Sequence, residues 1–439
     1  MRTHDLLGIG VGPFNLGLAA LGDPLPDLDA AFWEARDTIE WHPGLMLEDA
    51  TLQVPFLADL VTLADPTSPW SFLAWLKATG RLYPFYLRER MHPWRREFAD
   101  YCRWVAERLP SVHLGRRVET VHHDGEAFVV TAGPHVARAR HLVLGIGTTP
   151  WVPSCLRSGG SQPDVVHTAS YLPARERLRR ARRITILGSG QSAAEVYRDL
   201  LEASPEHDYE LVWVTRSERF FPLEYTKLTL EMTSPEYIDH FHGLPTAVRD
   251  RLRHEQRGLS KGISGETVDA ISDLHHRLVA HGHRVRTTLL TCSELVDSHR
   301  TGGRRRLVFE HRELGRRFEF DTDAVVCGTG YRAGVPDFLE PVRDRLLLDE
   351  RGRFAATRDY SVDREGRIFV QNGEEHTHGH AAPDLGMGAY RNSVILRAVL
   401  GREVYPVEER VAVQTFGVPD HLDAPALAYG AIAAAAGVA

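Results

Sequence analysis

A glycine-rich turn near the start of the chain restricts the possible folds more than any other sequence feature. The apolar run 6–9 leads into Gly-Val-Gly-Pro-Phe-Asn at residues 10–15, and the apolar segment 16–21 follows. A buried strand, a tight turn and a helix N-terminus in this order form a pyrophosphate site, because the first helical turn presents unpaired N–H groups. We therefore predict nucleotide contacts from Gly10, Gly12, Pro13 and Asn15. Asn15 occupies the place of the usual third glycine, so the motif alone also fits an ordinary turn.

An acidic residue at the end of the next predicted strand strengthens the nucleotide interpretation. Residues 30–33 are mainly apolar and run into Glu34, which lies 24 residues after Gly10. In dinucleotide-binding folds, a carboxylate near this spacing accepts hydrogen bonds from the adenosine ribose. Because a carboxylate repels a 2′-phosphate, Glu34 favours FAD or NAD over NADP at the first site.

A second glycine fingerprint lies in the middle of the chain. The strand-like run 183–187 leads into Gly-Ser-Gly-Gln-Ser-Ala at 188–193, and a predicted helix follows. The next strand, 210–214, is followed by Thr-Arg rather than by an acid. An arginine there suits a 2′-phosphate, although a surface arginine at a strand end is the alternative. We predict an NADPH site formed by Ser189, Gly190, Gln191, Ser192 and Arg216.

Two fingerprints, one followed by Glu and one by Arg, predict an α/β protein. It should contain two doubly wound Rossmann-like dinucleotide-binding domains and a small, mainly helical substrate region. The expected units are a discontinuous FAD-binding domain at 1–165 and 335–420, an NADPH-binding domain at 166–220 and 284–334, the helical substrate region at 221–283, and a C-terminal tail at 421–439. A strand at 323–327 is expected to return the chain to the cofactors at Gly330 and Tyr331.

Composition removes several classes of function. The formal charge of −7 gives no reason to expect a nucleic-acid partner, and no apolar run reaches the roughly 18 residues of a membrane span. The arginine-rich stretch 175–183 is interpreted as a solvated helix face. The four cysteines are scattered without a Cys-x-x-Cys pair, which argues against dithiol chemistry and indicates a reducing, cytoplasmic compartment.

A histidine-rich stretch at 374–380, Glu-Glu-His-Thr-His-Gly-His, raises the question of a metal site. Alternate residues of an extended chain do not all face one ion. The other histidines show no His-Glu-x-x-His spacing. We therefore predict no metal.

A series of motifs runs along nearly the whole chain. It comprises 10–15, Trp-His-Pro-Gly at 41–44, Leu-Gln at 52–53 with Phe-Leu-x-Asp-Leu-Val at 56–61, Arg-Arg-Glu-Phe at 95–98, His167 with Tyr171, 188–192, Gly-Thr-Gly-Tyr at 328–331 and Thr-His-Gly at 377–379. In these motifs the chain resembles the flavin-dependent N-hydroxylating monooxygenases of siderophore biosynthesis. These enzymes hydroxylate the side-chain amine of lysine or ornithine, or one amine of putrescine or cadaverine.

The resemblance implies that FAD is reduced by NADPH and captures O₂ as a C4a-hydroperoxide, which the substrate amine then attacks. Trp41, His42 and Gln53 match positions along the flavin, and Leu385 lies in the family's flavin-facing C-terminal loop. The chemistry requires no acid–base pair, so no catalytic side chain is predicted; the protein excludes water and presents a neutral amine. The family also implies a homo-oligomer, often a tetramer.

One position departs from the pattern of the members that act on amino acids. Those members carry a lysine after the Phe-Leu at 56–57, and it pairs with the substrate's α-carboxylate; here the residue is Ala58. Burying an unpaired carboxylate is costly, so Ala58 favours a diamine such as cadaverine or putrescine. The distal ammonium of a diamine needs an acceptor, for which Asp384 and Glu224 are the candidates. Lys261 lies where ornithine-acting relatives place a substrate-contacting asparagine, which keeps L-lysine or L-ornithine as the alternative substrate.

Two other functions remain open from the sequence. A related flavin monooxygenase acting at carbon or sulfur would share the two nucleotide domains, and detection of a hydroxylamine product distinguishes it. Outside enzymes, the alternative is a redox sensor that binds NADP(H) without catalysis. The intact segment around Gln53 and the presence of both fingerprints argue against the sensor.

Overall fold

The chain folds into an α/β protein built on two sheets with parallel central strands, which confirms the predicted fold class. The computed structural model describes residues 2–157, 162–224, 226–408, 410–419 and 422. The predicted tail at 421–439 therefore lies outside the described residues except for Leu422. Within the described ranges, no helix is both long enough and apolar enough to cross a membrane.

The described residues form the following strands: β1 (Thr3–Ile9), β2 (Ala30–Trp33), β3 (Val112–His113), β4 (Thr120–His123), β5 (Phe128–Ala132), β6 (His135–Leu144), β7 (Thr149–Pro150), β8 (Val165–His167), β9 (Arg183–Leu187), β10 (Glu210–Val214), β11 (Thr287–Leu290), β12 (Ser293–Thr301), β13 (Arg304–His311), β14 (Arg316–Thr322), β15 (Ala324–Cys327), β16 (Tyr331–Arg332) and β17 (Ile368–Val370).

The α-helices are α1 (Pro13–Gly22), α2 (Phe72–Ala78), α3 (Leu82–Leu87), α4 (Arg95–Ala106), α5 (Ser154–Arg157), α6 (Tyr171–Leu178), α7 (Gln191–Ala203), α8 (Lys227–Leu230), α9 (Pro235–Gly243), α10 (Thr246–Glu255), α11 (Gly258–Lys261), α12 (Gly265–Ala280), α13 (Glu375–His378) and α14 (Gly388–Leu400). Short 3₁₀ turns lie at Pro43–Leu45, Thr168–Ser170, Ser204–Glu206, Glu231–Thr233, Asp337–Arg345, Gly379–Ala381 and Leu385–Met387.

The first sheet carries the first glycine turn. Its strand order is β3-β2-β1-β6-β5-β4, and β17 also pairs with β6. β1 runs parallel to β2 and β6, with Gly8 opposite Phe32 and Val143. Both faces of β1 are buried: Leu6 lies in a core with α1, α4 and α14, and Leu7 lies in the core on the opposite face. This burial explains why residues 6–9 are continuously apolar rather than alternating.

The second sheet is wholly parallel, with the order β11-β10-β9-β15-β8. Helices α6, α7 and α12 cover one face. The other face packs on an antiparallel sheet, β12-β13-β14, through Leu307 and Phe309. This three-stranded sheet is absent from the sequence-based prediction, because arginines crowd its strands and suggest a solvated segment. One of them, Arg305, is 2% exposed and pairs with Asp164 at 2.6 Å.

Short pairings connect the two halves of the molecule. β7 and β16 form an antiparallel ribbon in which Thr149 lies opposite Arg332. β17 lies late in the chain but pairs with β6, so the first sheet draws strands from both ends of the described chain. Helices α8 to α12 lie in sequence between β10 and β11. The bounds of the predicted domains stay a prediction.

One buried carboxylate organises the irregular segment that precedes α2. Asp59 is 6% exposed and accepts hydrogen bonds from the N–H groups of Val61, Thr62 and Phe72, at 2.9, 2.7 and 2.7 Å, and from the Thr62 hydroxyl at 2.7 Å. Burial raises the pKa of Asp59, and these hydrogen bonds oppose that rise. The carboxylate thereby fixes the backbone next to Ala58.

Replacing Asp59 by alanine is expected to lower the free energy of unfolding by about 3 kcal/mol, because three N–H groups lose a shared acceptor and each orphaned buried group costs about 1–3 kcal/mol. Chemical denaturation measures the loss. Asp59→Asn is the matched control, since it keeps an acceptor oxygen and should lose less than half as much. An alanine variant as stable as the original chain would contradict the role given to this carboxylate.

Candidate active site

The two glycine turns share one geometry. Gly10 has a φ of +84°, and a Cβ built on it would lie 2.6 Å from the carbonyl oxygen of Gly145. Gly188 has a φ of +119°, and its Cβ would collide with the carbonyl oxygen of Gly328. Each turn therefore requires glycine, both for its left-handed backbone and for its contact with the neighbouring strand end. The same device appears once at each sheet.

Each turn opens onto a helix start that no side chain caps. Gly12 and Gly190 are the N-cap residues of α1 and α7, and neither helix start is capped by a side-chain hydrogen bond. A Cβ on Gly12 would meet nothing nearer than the Gly145 carbonyl oxygen at 4.0 Å. Open space in front of uncapped N–H groups fits a bound pyrophosphate.

The Asn15 side chain fastens the first turn from behind. Its Nδ2 donates to the carbonyl oxygens of Gly10 at 2.8 Å, Val143 at 3.2 Å and Ile9 at 3.3 Å. Its Oδ1 accepts from Gln371 Nε2 at 2.8 Å. All these partners are protein groups, so the Asn15 side chain shapes the turn, and its predicted contact with the nucleotide stays a prediction. Asn15, at the place of the usual third glycine, therefore holds the turn through buried side-chain hydrogen bonds.

Glu34 closes the open side of the same turn. Its Oε2 accepts from the Val11 N–H at 2.9 Å, and its Oε1 accepts from the Arg36 N–H at 3.1 Å. The side chain lies directly after β2 and is 8% exposed. The structure therefore places the predicted ribose-binding carboxylate against the turn formed by Gly10 to Gly12.

Four aromatic rings form a row that begins at Trp41. The Trp41 and His42 rings meet edge to face at 4.9 Å, His42 and Tyr331 at 6.4 Å, and Tyr331 and His167 at 5.1 Å. His42 adopts a left-handed backbone with φ +48°. It keeps exposed surface, yet desolvation in the cleft, together with the cations Arg95 and Arg36, lowers its pKa to about 4. His42 is therefore neutral at physiological pH.

Gln53 provides the test of whether a flavin fits here. Its Nε2 is buried and has no hydrogen-bond partner among the described residues. An orphaned buried donor costs about 1–3 kcal/mol, so native proteins rarely leave one without a ligand or a water. The carbonyl and ring-nitrogen acceptors of a flavin would satisfy it. The residues present fit the predicted cofactor.

The second turn is joined to both neighbouring parts of the molecule. Gln191 Oε1 accepts from the Ser264 N–H at 2.9 Å, and its Nε2 donates to Glu195 and Thr267, each at 2.9 Å. Glu195 in turn accepts from both terminal nitrogens of Arg95, at 2.8 and 2.5 Å. The predicted NADPH residue Gln191 therefore holds α7 against α12. The Arg95–Glu195 link spans 100 residues, and no signal in the sequence connects the two.

The remaining predicted residues on the NADPH side lie at the strand ends. Arg216 follows β10, with 64% of its side chain exposed and Glu294 4.0 Å away. Ser189 Oγ lies 3.5 Å from Ser217 Oγ. Ser192 lies in the first turn of α7, next to Gln191. The Gly330 carbonyl oxygen accepts from the Trp151 N–H at 2.9 Å and lies 3.0 Å from His167 Nε2. These contacts fix the backbone next to Tyr331, which is a member of the aromatic row.

Ala58 and Asp384, 326 residues apart in sequence, meet at one wall. A Cβ built on Gly386 would lie 3.8 Å from the Ala58 Cβ and 3.3 Å from Asp384 Oδ1. Asp384 accepts from the Gly386 N–H at 2.8 Å and begins the turn that contains Leu385. Leu385 lines a small cavity together with Pro13 at the start of α1. This wall therefore adjoins the first glycine turn.

Asp384 lies in surroundings that disfavour its charge. Burial raises the pKa of its carboxyl, and the Gly386 N–H and the Arg391 guanidinium partly oppose the rise. No cation is paired with Asp384 among the described residues. A carboxylate in this setting gains more from a bound ammonium than a solvated one does.

The structure places Glu224 and Lys261 in a different cluster. Glu224 is exposed, and its carboxyl lies 2.8 Å from the place of a Cβ on Gly258. Lys261 Nζ pairs with Glu375 at 3.3 Å, and 54% of its side chain is exposed. The charge of Lys261 thus already has an acidic partner. Within the described ranges, no hydrogen bond or ion pair joins either residue to Ala58 or Asp384.

The histidines of the 374–380 stretch face different partners. His376 Nε2 lies 2.7 Å from the Phe354 carbonyl oxygen, His378 Nε2 lies 3.2 Å from that of Arg358, and His380 Nδ1 lies 3.0 Å from Ser260 Oγ. Among the residues that the structure describes, no group of three or more His, Cys, Asp or Glu side chains is placed to hold a metal ion.

Two sheets with parallel central strands, each with a glycine turn that opens onto a helix start, are the architecture of proteins that bind two dinucleotides. The family model of the L-lysine 6-monooxygenase/L-ornithine 5-monooxygenase family matches residues 2–333, and the chain belongs to this family. The family predicted from the sequence motifs is confirmed, and so is the prediction of a monooxygenase.

Similar proteins cover nearly the whole chain. Putrescine N-hydroxylase of Shewanella oneidensis is 46% identical over 431 residues, which span 96% of this chain and 86% of that protein. L-lysine N6-monooxygenase of Escherichia coli is 31% identical over 411 residues, 92% of this chain and 96% of that protein. The crystal structure of DfoA, the FAD-bound cadaverine monooxygenase of Erwinia amylovora, is 46% identical with a TM-score of 0.93 and spans 96% of this chain and 100% of that one.

Proposed function

We propose that the protein N-hydroxylates one primary amine of an aliphatic diamine, cadaverine or putrescine, using FAD, NADPH and O₂, in hydroxamate siderophore biosynthesis. The observation that carries this proposal is the wall formed by Ala58, Gly386 and Asp384. It offers a carboxylate that no cation pairs with among the described residues, although Arg391 acts on it at longer range. The putrescine N-hydroxylases of Shewanella oneidensis and Acinetobacter baumannii, at 46% and 40% identity, and the cadaverine monooxygenase DfoA support the same substrate class.

Charge at the wall discriminates between the candidate substrates. A diamine brings a distal ammonium, which Asp384 can accept without another partner. An amino acid brings an α-carboxylate, which Ala58 cannot bind and which the Asp384 carboxylate repels. Because removing the partner of a buried charge costs about 3–5 kcal/mol, this difference is large enough to decide the substrate.

The cofactors are proposed to occupy the two turns, FAD at Gly10 to Asn15 and NADPH at Gly188 to Ser192. Bound FAD, reduced by NADPH, would supply the activated oxygen. Glu34 would hold the adenosine ribose, Gln53 Nε2 would donate to the flavin, and Trp41, His42 and Tyr331 would wall the cleft. The neutral His42 ring would place no readily lost proton beside the flavin.

The reacting amine must be neutral to act as a nucleophile. An alkylammonium with a pKa near 10.4 costs about 4–5 kcal/mol to deprotonate at pH 7, at about 1.36 kcal/mol for each pH unit. Burial against apolar residues such as Leu385 disfavours the cation and lowers that pKa. The protein would thus bind one end of the diamine charged at Asp384 and the other end uncharged at the flavin.

NADPH-dependent formation of hydroxylamine from cadaverine, putrescine, L-lysine and L-ornithine tests the proposal. We expect turnover of at least one diamine and little of either amino acid. Efficient turnover of L-lysine with none of either diamine would overturn the argument from Ala58 and would direct attention to Lys261. Oxidation of a thioether or a ketone in place of the amines would point instead to sulfur or carbon oxygenation.

Arg216 is proposed to select NADPH over NADH. Replacing it with alanine is expected to raise the KM for NADPH about 10- to 100-fold, since a charge-assisted hydrogen bond contributes about 1.5–3 kcal/mol. Steady-state oxidation of NADPH and NADH by the FAD-loaded protein measures the effect. NADH is the internal control, because it lacks the 2′-phosphate. An equal rise for both nucleotides would contradict contact with that phosphate.

Self-association and cellular location stay predictions. Helix α3 exposes Tyr83, Tyr86 and Leu87 to 74, 69 and 74%, an apolar surface that supports the predicted homo-oligomer. Sedimentation velocity measures the number of subunits.

The buried thiols of Cys102, Cys292 and Cys327 are compatible with the proposed cytoplasmic location.

A further inference from the structure

A segment near the C-terminus crosses the outside of the helical region. We call residues 410–417 the C-terminal strap. Glu236, in the first turn of α9, accepts through Oε1 from the N–H groups of both Val411 and Ala412, at 2.7 and 2.9 Å. Glu231 accepts through Oε2 from the Gln414 N–H at 2.9 Å and from its Nε2 at 3.0 Å. Two carboxylates thus receive four hydrogen bonds from a segment that has no regular secondary structure.

The strap also contacts α8 and α9 on either side of Glu231. Gln414 Nε2 donates to the Leu228 carbonyl oxygen at 2.7 Å, and the Phe416 ring meets the Tyr237 ring edge to face at 4.9 Å. Ala412 is 2% exposed and Gln414 and Phe416 are half-buried, whereas the residues between them are exposed, so the strap packs through alternate residues. Hydrogen bonds from Gln414 hold the pKa of Glu231 below its usual value. The strap therefore spans α8 to α9 and fixes their spacing.

The inner side of α9 rests on the loop that leads to Asp384. Phe241 is fully buried, and its ring lies 3.4 Å from the place of a Cβ on Gly379. The turn at Glu231–Thr233, which the strap holds, packs against the turn at Gly379–Ala381. From the opposite side, Arg391 donates to the carbonyl oxygens of Ala381 and Ala382, at 3.1 and 2.9 Å. The approach to Asp384 is thus clamped between the core and α9.

We propose that the C-terminal strap positions the amine site, with Glu231 and Glu236 as positioning residues that act through α9 and the 379–382 backbone on Asp384. The core side of the 379–382 loop is fixed by Arg391, which is 1% exposed and pairs with Glu374 at 2.9 Å. On the outer side, α9, α10 and the 231–233 turn pack against the loop. The strap binds α9 and the 231–233 turn through Glu236 and Glu231. The strap therefore supports two of the three elements that hold the outer side of the loop. The identity of the amine that binds at Asp384 rests on the proposed function. The link from the strap to the 379–382 backbone rests on the contacts alone.

A pair of shortened chains isolates the strap. One ends at Pro419 and keeps the strap; the other ends at Glu409 and lacks it. In the FAD-loaded protein, we expect the chain ending at Glu409 to show at least a tenfold higher KM for cadaverine and less hydroxylamine for each NADPH oxidised. The KM for NADPH and the FAD content should stay within twofold of the chain ending at Pro419. A strap that merely stabilised the fold would not separate these quantities.

Point variants test the same link without shortening the chain. Glu236→Ala removes the acceptor and should reproduce the rise in the KM for the diamine, whereas Glu236→Gln keeps an acceptor oxygen and should stay within threefold of the original. Val413→Ser changes a side chain of the strap that is 78% exposed and serves as the control. A KM unchanged by both Glu236→Ala and the loss of the strap would overturn the inference.

Hydrogen exchange supplies a readout that needs no substrate. Amides of residues 379–387 should exchange at least tenfold faster in the chain ending at Glu409 than in the chain ending at Pro419. Unchanged exchange there would overturn the inference, whatever the amine assays show. If exchange accelerates but no diamine is hydroxylated by the full chain, the proposed substrate is wrong and the positioning role stands.

Discussion

Replacing Asp384 by asparagine raises the KM for cadaverine or putrescine about 100-fold in the expected result. Loss of a charged partner for the distal ammonium costs about 2–3 kcal/mol, which corresponds to roughly that factor. NADPH oxidation by the FAD-loaded protein should continue. Asparagine keeps the oxygen that accepts from the Gly386 N–H, so the turn at 384–387 keeps its shape. Steady-state hydroxylamine assays with both diamines measure the change.

Glu224→Gln is the matched control for this experiment. Glu224 is exposed and lies against Gly258, so the variant should leave the KM for the diamine unchanged. The reverse pattern would assign the ammonium to Glu224 and remove Asp384 from the site. A pH series adds a second test. Because only ionised Asp384 attracts the ammonium, the KM should fall as pH rises through the raised pKa of Asp384. That pH-dependent limb should vanish in Asp384→Asn.

Replacing Ala58 by lysine should abolish diamine hydroxylation, with a loss of at least about 100-fold in kcat/KM. The Ala58 Cβ and Asp384 Oδ1 lie 3.8 and 3.3 Å from one point, the place of a Cβ on Gly386. A lysine side chain at 58 can therefore reach the carboxylate and bind it as an internal ammonium. The variant would occupy the subsite that the substrate's own ammonium uses.

Ala58→Met separates charge from size. Methionine fills similar space without a charge, so it should impair diamine turnover much less than lysine does. Combining Ala58→Lys with Asp384→Asn frees the new ammonium and should allow turnover of L-lysine. If Ala58→Met is as damaging as Ala58→Lys, steric exclusion explains the loss and the charge argument fails.

Sequence patterns that reflect local backbone demands predicted the fold well. The turns at Gly10 and Gly188 must be glycine because of their φ angles and the strand ends behind them, so each leaves a local signature. Continuous burial on both faces of β1 likewise shows as an apolar run. The sheet β12-β13-β14 was missed because Arg305 is buried by pairing with Asp164, which is distant in sequence. The sequence pattern around an arginine does not show whether that arginine is buried.

The candidate site divides in the same way. Ala58 was identified because a missing charge at a motif position is visible in one sequence, and Asp384 because it lies in a recognisable loop. Their proximity depends on how the turn at 384–387 meets the segment ordered by Asp59, which the sequence does not encode locally. The assignments of Asn15 and Gln191 as cofactor residues stay predictions. In the structure the side chains of both residues bind protein groups, so both residues stabilise the turns in which they lie.

The ion pair between Arg95 and Glu195 bears on how parts of such proteins can be exchanged. Their side chains are 14 and 9% exposed, and they join α4 to α7. A chimera that takes the second sheet and its helices from a relative must therefore bring a residue that matches Arg95. Otherwise a buried charge loses its partner, at about 3–5 kcal/mol. Recombination between relatives should succeed where crossovers inherit both residues from one parent, and the boundary that matters is this contact rather than any loop between the sheets.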